Sequence, residues 1–184
     1  MTETVSEDYK LEILKKTNLA LIVVNTRKFN EIISKKKSSD KIIPEVKQFL
    51  KKDLSISLVY TEIIPDSEDY INEVLIRVMK KKMIDSIIFS GGTGLAVNDI
   101  TYETLEPRLY KKFDGFGELF RSLSFNEIGS STMLSRATAG ILYSKKKSKA
   151  IFLLPQSANA IIVALKNIII PELGHIQYLI NKEK

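Results

Sequence analysis

The residues best suited to chemistry are Asp66, Asp99 and the glycines of "SGGTG" at positions 90–94. Gly91, Gly92 and Gly94 lack a Cβ, so backbone N–H groups around Thr93 can crowd toward a ligand. A concave run of N–H groups leading into a helix start binds anions, phosphate above all. A carboxylate pair beside such a cradle suits Mg2+, which takes one or two carboxylates and completes its shell with phosphate oxygens and water. Each feature also has a plainer explanation. The glycines could form no more than a tight strand-to-helix turn, and Asp66, ahead of "SEDYI", or Asp99 could cap a helix. The spacing matches neither the dinucleotide fingerprint nor the Walker pattern, and no "GK[ST]" follows.

The elements that must position these residues follow from hydrophobic patterning. "LALIVV" (19–24), "ISLVYTEII" (56–64) and residues 84–89 read as strands, the first buried on both faces. Residues 25–40 read as a polar loop, 42–50 as an amphipathic helix, and 66–83 as a helix with Ile71, Val74, Leu75, Val78 and Met79 on one face. Helical segments are expected around Leu105 and over 115–123. A hairpin, "AGILY" and "KAIFLLP", comes next, and an apolar helix over 160–173 closes the chain. Alternating strands and helices predict a three-layer α/β/α fold with a mostly parallel sheet. Residues 1–10 are expected to be a flexible arm and 11–184 a single domain. Parallel strands carry their ligands beyond their carboxyl ends, so residues 25–27, 65–67, 90–99 and 155–159 should converge on one edge.

Composition removes competing chemistries. The absence of cysteine excludes disulfides, thiolate catalysis and Cys-ligated zinc, and it fits a reducing cytosol. The one histidine, His175, near the C-terminal helix end, reads as structural or surface. Much of the net charge of +6 sits in lysine runs at 35–37, 51–52, 80–82 and 145–147. No aromatic side chain interleaves with them as a stacking platform, so they read as solvated surface and no nucleic-acid partner is expected. "MTETVSEDYK" resembles neither a signal nor a transit peptide, and no apolar run approaches the roughly 18 residues of a membrane span. A cytoplasmic protein without membrane contact is the expectation.

These residues support a phosphate-handling, Mg2+-assisted α/β enzyme or binder, without naming its substrate. "SGGTGLAVNDITYETLEP", followed by "FDGFGELFRSLSFNEIGSSTMLSRATAGIL", resembles the MoaB/MogA family of molybdenum-cofactor biosynthesis proteins. "IIPDSED" is similar to that family's P-D-E loop and "IIPELGHI" to its C-terminal helix. The resemblance spans residues 19–179. It implies a three-layer α/β domain in trimers or assemblies of trimers, which transfers AMP from Mg-ATP to molybdopterin. Asp66 and Asp99 would then be the essential acidic pair, assisting Mg2+ and attack on the α-phosphate. Gly91, Gly92, Thr93 and Gly94 would contact phosphate, Gly117 and Glu118 would stand near the same pocket, and Ser157 would receive the pterin. The chain departs from the family in "PQSANA", where the family reads P-G-S-P-K-A: Gln156, Ala158 and Asn159 replace Gly, Pro and Lys. Asn98 stands where the family often has Arg, and the family's Ser-Gly loop appears only as Ser38, Ser39 and Asp40. A non-catalytic pterin-binding or assembly protein on the same scaffold is the alternative.

Overall fold

The computed structural model describes residues 16–182, and the arm expected over residues 1–10 lies outside the described residues. Six strands form one sheet in the order β2-β1-β3-β6-β5-β4. They are β1 Thr17–Val24, β2 Ile56–Ile64, β3 Ser86–Ser90, β4 Lys111–Lys112, β5 Thr138–Leu142 and β6 Lys149–Leu154. The first four in spatial order run parallel, while β5 and β4 pair antiparallel at the far edge. The expected α/β fold and its hairpin are therefore present. Strand β4 went unread, because two exposed lysines carry no strand pattern.

Both faces of the sheet are covered. In β1, Leu19, Leu21 and Val23 join one buried cluster with Phe116, Phe152 and Ile161, and Ala20, Ile22 and Val24 join the other with Ile71, Val74 and Val78. A continuous apolar run thus hides a two-residue alternation between two cores. The helices α1 Thr26–Ile33, α2 Ile42–Leu50, α3 Glu68–Lys80, α4 Thr101–Leu105 and α5 Asp114–Ile128 connect these strands. Helix α3 packs through Ile71, Val74, Leu75 and Val78, the spacing of one helical face. Helix α1 corrects the expected polar loop. It carries only a short apolar stripe, Phe29, Ile32 and Ile33, none of it fully buried, and its start is set by Asn25, whose side chain accepts from Lys28 N–H.

The C-terminal helix is longer than residues 160–173. It runs as α6 Ala158–Ala164, a π turn over Leu165–Ile169 and α7 Ile170–Asn181. Pro171 cannot donate a backbone hydrogen bond, and the helix widens into the π turn just before it. Contrary to the expectation from apolar runs, the 24 residues of Ala158–Asn181 are long and apolar enough to cross a membrane by length and composition, with mean hydropathy 1.3 over the best window. Charged and polar residues interrupt the run without breaking the helix. Ile161, Ala164, Leu165, Ile169 and Leu173 lie in the sheet's core.

The lysine run at 145–147 and its neighbour Lys149 are not all solvated surface. Lys147 pairs with Asp85 and donates to Lys82 O at 2.9 Å. Lys149 is fully buried, and its Nζ donates to Val78 O at 2.9 Å and Lys81 O at 2.6 Å, closing the C-terminus of α3. Burial first, then the nearby Lys147 charge, push its pKa down to about 8 from 10.5, against the opposing pull of Asp85. Between these two values the unfolded chain holds a proton that the native chain has released. Stability should therefore rise with pH from about 8 to 10.5. Denaturant unfolding across that window should show the rise in the wild type, and Lys149→Met should remove it; identical pH profiles would refute the assignment.

Candidate active site

The parallel strands end in register. Val24 pairs with Ile64, Val23 with Ser90, and Ser90 with Leu154, so the four following loops share one edge. A cleft of about 520 Å3 opens there, lined by Val24, Asn25, Asp66, the loop Gly92–Thr93–Gly94, Asn98 and Asp99. Ile128, Ser131, Leu134 and Ser135, and Pro155 and Gln156 beyond β6, line it as well. Among the described residues, neither lysine nor arginine lines it.

Asp66 is half-buried and does not cap its own helix; Ser67 holds the N-cap position of α3. Its Oδ2 instead accepts from the backbone N–H and the hydroxyl of Thr26, each at 2.9 Å, and its own N–H donates to Thr26 Oγ1 at 2.9 Å. This reciprocal link ties the end of β2 to the first turn of α1. The other oxygen, Oδ1, lies 3.3 Å from where a Cβ on Gly92 would stand.

Gly91 and Gly92 adopt φ of 108° and 62°, where side chains are strained. A Cβ on Gly91 would stand 2.3 Å from Val24 O, and one on Gly92 would stand 2.3 Å from Thr101 Oγ1. These glycines are required by protein neighbours, whatever ligand approaches them. Thr101 Oγ1 is buried with no hydrogen-bond partner among the described residues. No helix follows the glycines directly. α4 begins only at Thr101, whose N–H donates to Gly92 O at 2.9 Å. Asp99 folds back over the loop, its Oδ2 accepting from Ala96 N–H at 2.9 Å and sitting 2.6 Å from the Cβ position of Gly94.

Arg136 holds this loop and was missed by sequence reasoning. Its guanidinium donates to Thr93 O at 3.1 Å and Asp99 O at 3.3 Å, pairs with Glu103 and stacks over the Tyr102 ring at 4.8 Å. Its hydrogen bonds hold the Glu103 carboxyl below the usual range. Since the main partners are backbone carbonyls, no residue pattern announces them.

The structure does not bring all the predicted residues to the cleft. Gly117 lies inside α5, where a Cβ would stand 2.7 Å from Ala137 O, and Glu118 is exposed on the same helix; neither lines the cleft. Ser157 is the N-cap of α6, its hydroxyl accepting from Ala160 N–H at 3.3 Å. Asn159 donates to Glu127 at 2.7 Å. Gln156 spans back to β1, with Nε2 donating to Val24 O at 2.8 Å and Oε1 accepting from Asn25 at 3.0 Å.

Among the described residues no group of three or more His, Asp or Glu side chains could hold a metal alone. Asp66 and Asp99 each spend Oδ2 on backbone amides and leave Oδ1 without a hydrogen bond to the described residues. That donor set fits a cation bound mainly by phosphate and water, as Mg2+ is.

A family described as "Probable molybdopterin binding domain" matches residues 20–175. A "Probable molybdopterin adenylyltransferase" of Methanocaldococcus jannaschii is 41% identical over 163 residues, 89% of this chain and 93% of that one. "Molybdenum cofactor biosynthesis protein B" of Halalkalibacterium halodurans is 44% identical over 124 residues, 67% of this chain and 71% of that one. Among solved structures, the tungsten cofactor synthesizing protein MoaB from Pyrococcus furiosus aligns with a TM-score of 0.73 at 34% identity, covering 90% of this chain and 98% of that one.

Gly92→Val should destabilise the fold, since its Cβ meets Thr101 and its φ of 62° is left-handed. The backbone strain alone amounts to about 1–3 kcal/mol. Thermal unfolding measures this; unchanged stability with nucleotide binding lost would return Gly92 to a purely ligand-facing role.

Proposed function

Because the chain belongs to the molybdopterin-binding-domain family of molybdenum-cofactor biosynthesis proteins, we propose that it is a molybdopterin adenylyltransferase, moving AMP from Mg-ATP to the pterin. The observation that carries this reading is the charge of the cleft. Among the described residues two carboxylates and no lysine or arginine line it, so a polyphosphate is repelled unless a divalent cation accompanies it. A cleft meant for a bare anion would carry cations.

In the proposed reaction a pterin oxygen attacks the α-phosphorus of ATP. The bond to the bridging oxygen breaks, and pyrophosphate leaves. Bound Mg2+ would offset charge on the phosphates, and Asp66 and Asp99 are the residues that would hold it. The chain's own contribution is positioning. Thr26 fixes Asp66, Arg136 fixes both ends of the loop that carries Asp99, and the amides of Gly92, Thr93 and Gly94, on the loop that lines the cleft, would donate to phosphate oxygens. Ser157 would approach the pterin only by sharing the hydroxyl that caps α6, and Gly117 and Glu118 would act from outside the cleft wall. A cytosolic setting fits the lack of cysteine.

One observation favours the non-catalytic pterin-binding alternative: Asn159 is tied to Glu127, so that position offers no cation to an anionic pterin. Incubation with ATP, Mg2+ and molybdopterin separates the two readings. Adenylylated pterin is expected; stoichiometric pterin binding without product would favour the alternative. Asp99→Asn and Asp66→Asn should each lower transfer by about a hundredfold or more while leaving the melting temperature near wild type. Near-normal turnover in either would remove that residue from the metal role.

We also propose a homo-oligomer, a trimer or an assembly of trimers. Exposed Leu119, Phe125, Ile128, Met133 and Leu134 lie on α5 and the turn after it, whereas Leu179 is the one large apolar side chain exposed on the C-terminal helix among the described residues. A surface of that kind favours burial against another copy. Sedimentation equilibrium should report a multiple of three; a monomer at micromolar concentration would contradict it.

A further inference from the structure

Gln156 lies beyond the end of β6, and Val24 and Asn25 lie at the end of β1, with β3 between the two strands. Its carboxamide therefore bridges over the end of a third strand. Nε2 donates to Val24 O at 2.8 Å, and Oε1 accepts from Asn25 Nδ2 at 3.0 Å. The bridge is possible because Gly91 lies at the end of β3, where a Cβ would stand 2.3 Å from Val24 O and 3.1 Å from Gln156 Nε2. Asn25 in turn accepts from Lys28 N–H at 2.7 Å, and its own N–H donates to Ile64 O at 2.8 Å. The next residue, Thr26, makes the three-bond link to Asp66.

The corner 24–26 is thus gripped from one side by Gln156 and from the other by Asp66. We propose that Gln156 is a positioning residue: through Asn25 and Thr26 it fixes the carboxylate of Asp66 so that Oδ1 stays turned toward Gly92. Gln156 is exposed, and hydrogen bonds of that kind add little to overall stability, so the consequence of the bridge is orientation. Its kinetic consequence rests on the adenylyltransferase reading, but its structural consequence does not. The glutamine at this place is a strut, and shortening it frees the corner rather than merely enlarging the cleft.

Gln156→Met keeps the side chain's length and removes both hydrogen bonds. Amide hydrogen exchange tests the strut without any activity. Thr26 and Lys28 N–H groups should exchange about tenfold faster or more, while Ser86–Ser90 exchanges as in the wild type. Kinetics on the full chain with Mg-ATP and molybdopterin should show kcat lowered about tenfold, with both KM values within about twofold. Thr26→Val should reproduce the loss, and the double variant should be no worse than the worse single one, since the two act in series. Unchanged exchange at Thr26 in Gln156→Met would overturn the proposal. So would unchanged kcat beside an active wild type, or a raised KM for molybdopterin alone, which marks a direct ligand contact. If the wild type transfers no AMP while Thr26 exchange still responds, the strut stands and the enzymatic reading fails.

Discussion

Four parallel strands stop on one line, and every feature of the cleft depends on that register. Val24 stands opposite Ile64, and Ser90 bridges toward both β1 and β6, so the corner after each strand meets its neighbours at hydrogen-bond range. A slip of one residue would exchange the two buried faces of β1, sending Leu21 into the cluster of Ile22 and the reverse. It would also pull Thr26 away from Asp66. The cores on either face therefore set the position of the carboxylate as well as the stability of the sheet.

Within that frame the cleft is built from oxygen-rich groups and short backbone approaches. Asp66 is tethered through one oxygen to Thr26 at the start of α1 and Asp99 through one oxygen to Ala96 of its own loop, which leaves the other oxygen of each without a hydrogen bond to the described residues. The glycines serve two neighbours at once. Gly91 and Gly92 let β3 end against Val24 O and Thr101, and Gly94 leaves room for the Asp99 carboxylate. Arg136 sits behind the loop with its charge met by Glu103, so it stiffens the site without adding a cation to it.

Strands β1, β2, β3, β5 and β6 and helix α3 were legible because burial and one-face helical spacing leave periodic marks in sequence, and the placement of Asp66 and Asp99 on one edge followed from the strand ends they succeed. Helix α1 was not, because its apolar stripe is only three residues amid polar ones, none of them fully buried, and its start rests on one capping asparagine. Arg136 was equally silent, since its contacts with Thr93 and Asp99 cross 43 and 37 residues to reach backbone carbonyls. The glycine loop was recognised, but the reason for it was incomplete: composition cannot reveal that Gly91 makes room for a carbonyl and a glutamine from two other strands. The lysine run gave its charge and not its fate. One of two nearby lysines pairs with Asp85, and Lys149 is wholly buried beneath the end of α3. Ser157 shows the same ambiguity at the level of a hydroxyl, where a cap and a ligand contact have one sequence signature.

The central claim is that this cleft receives a nucleotide as its magnesium complex, on the glycine loop and between the two aspartates. A crystal structure of the protein with Mg2+ and a non-hydrolysable ATP analogue tests it most directly. The account predicts phosphate oxygens against the amides of Gly92, Thr93 and Gly94, with the cation between them and the Oδ1 atoms of Asp66 and Asp99. Nucleotide bound elsewhere, or phosphates seated in this cleft with neither aspartate within reach of the cation, would contradict it.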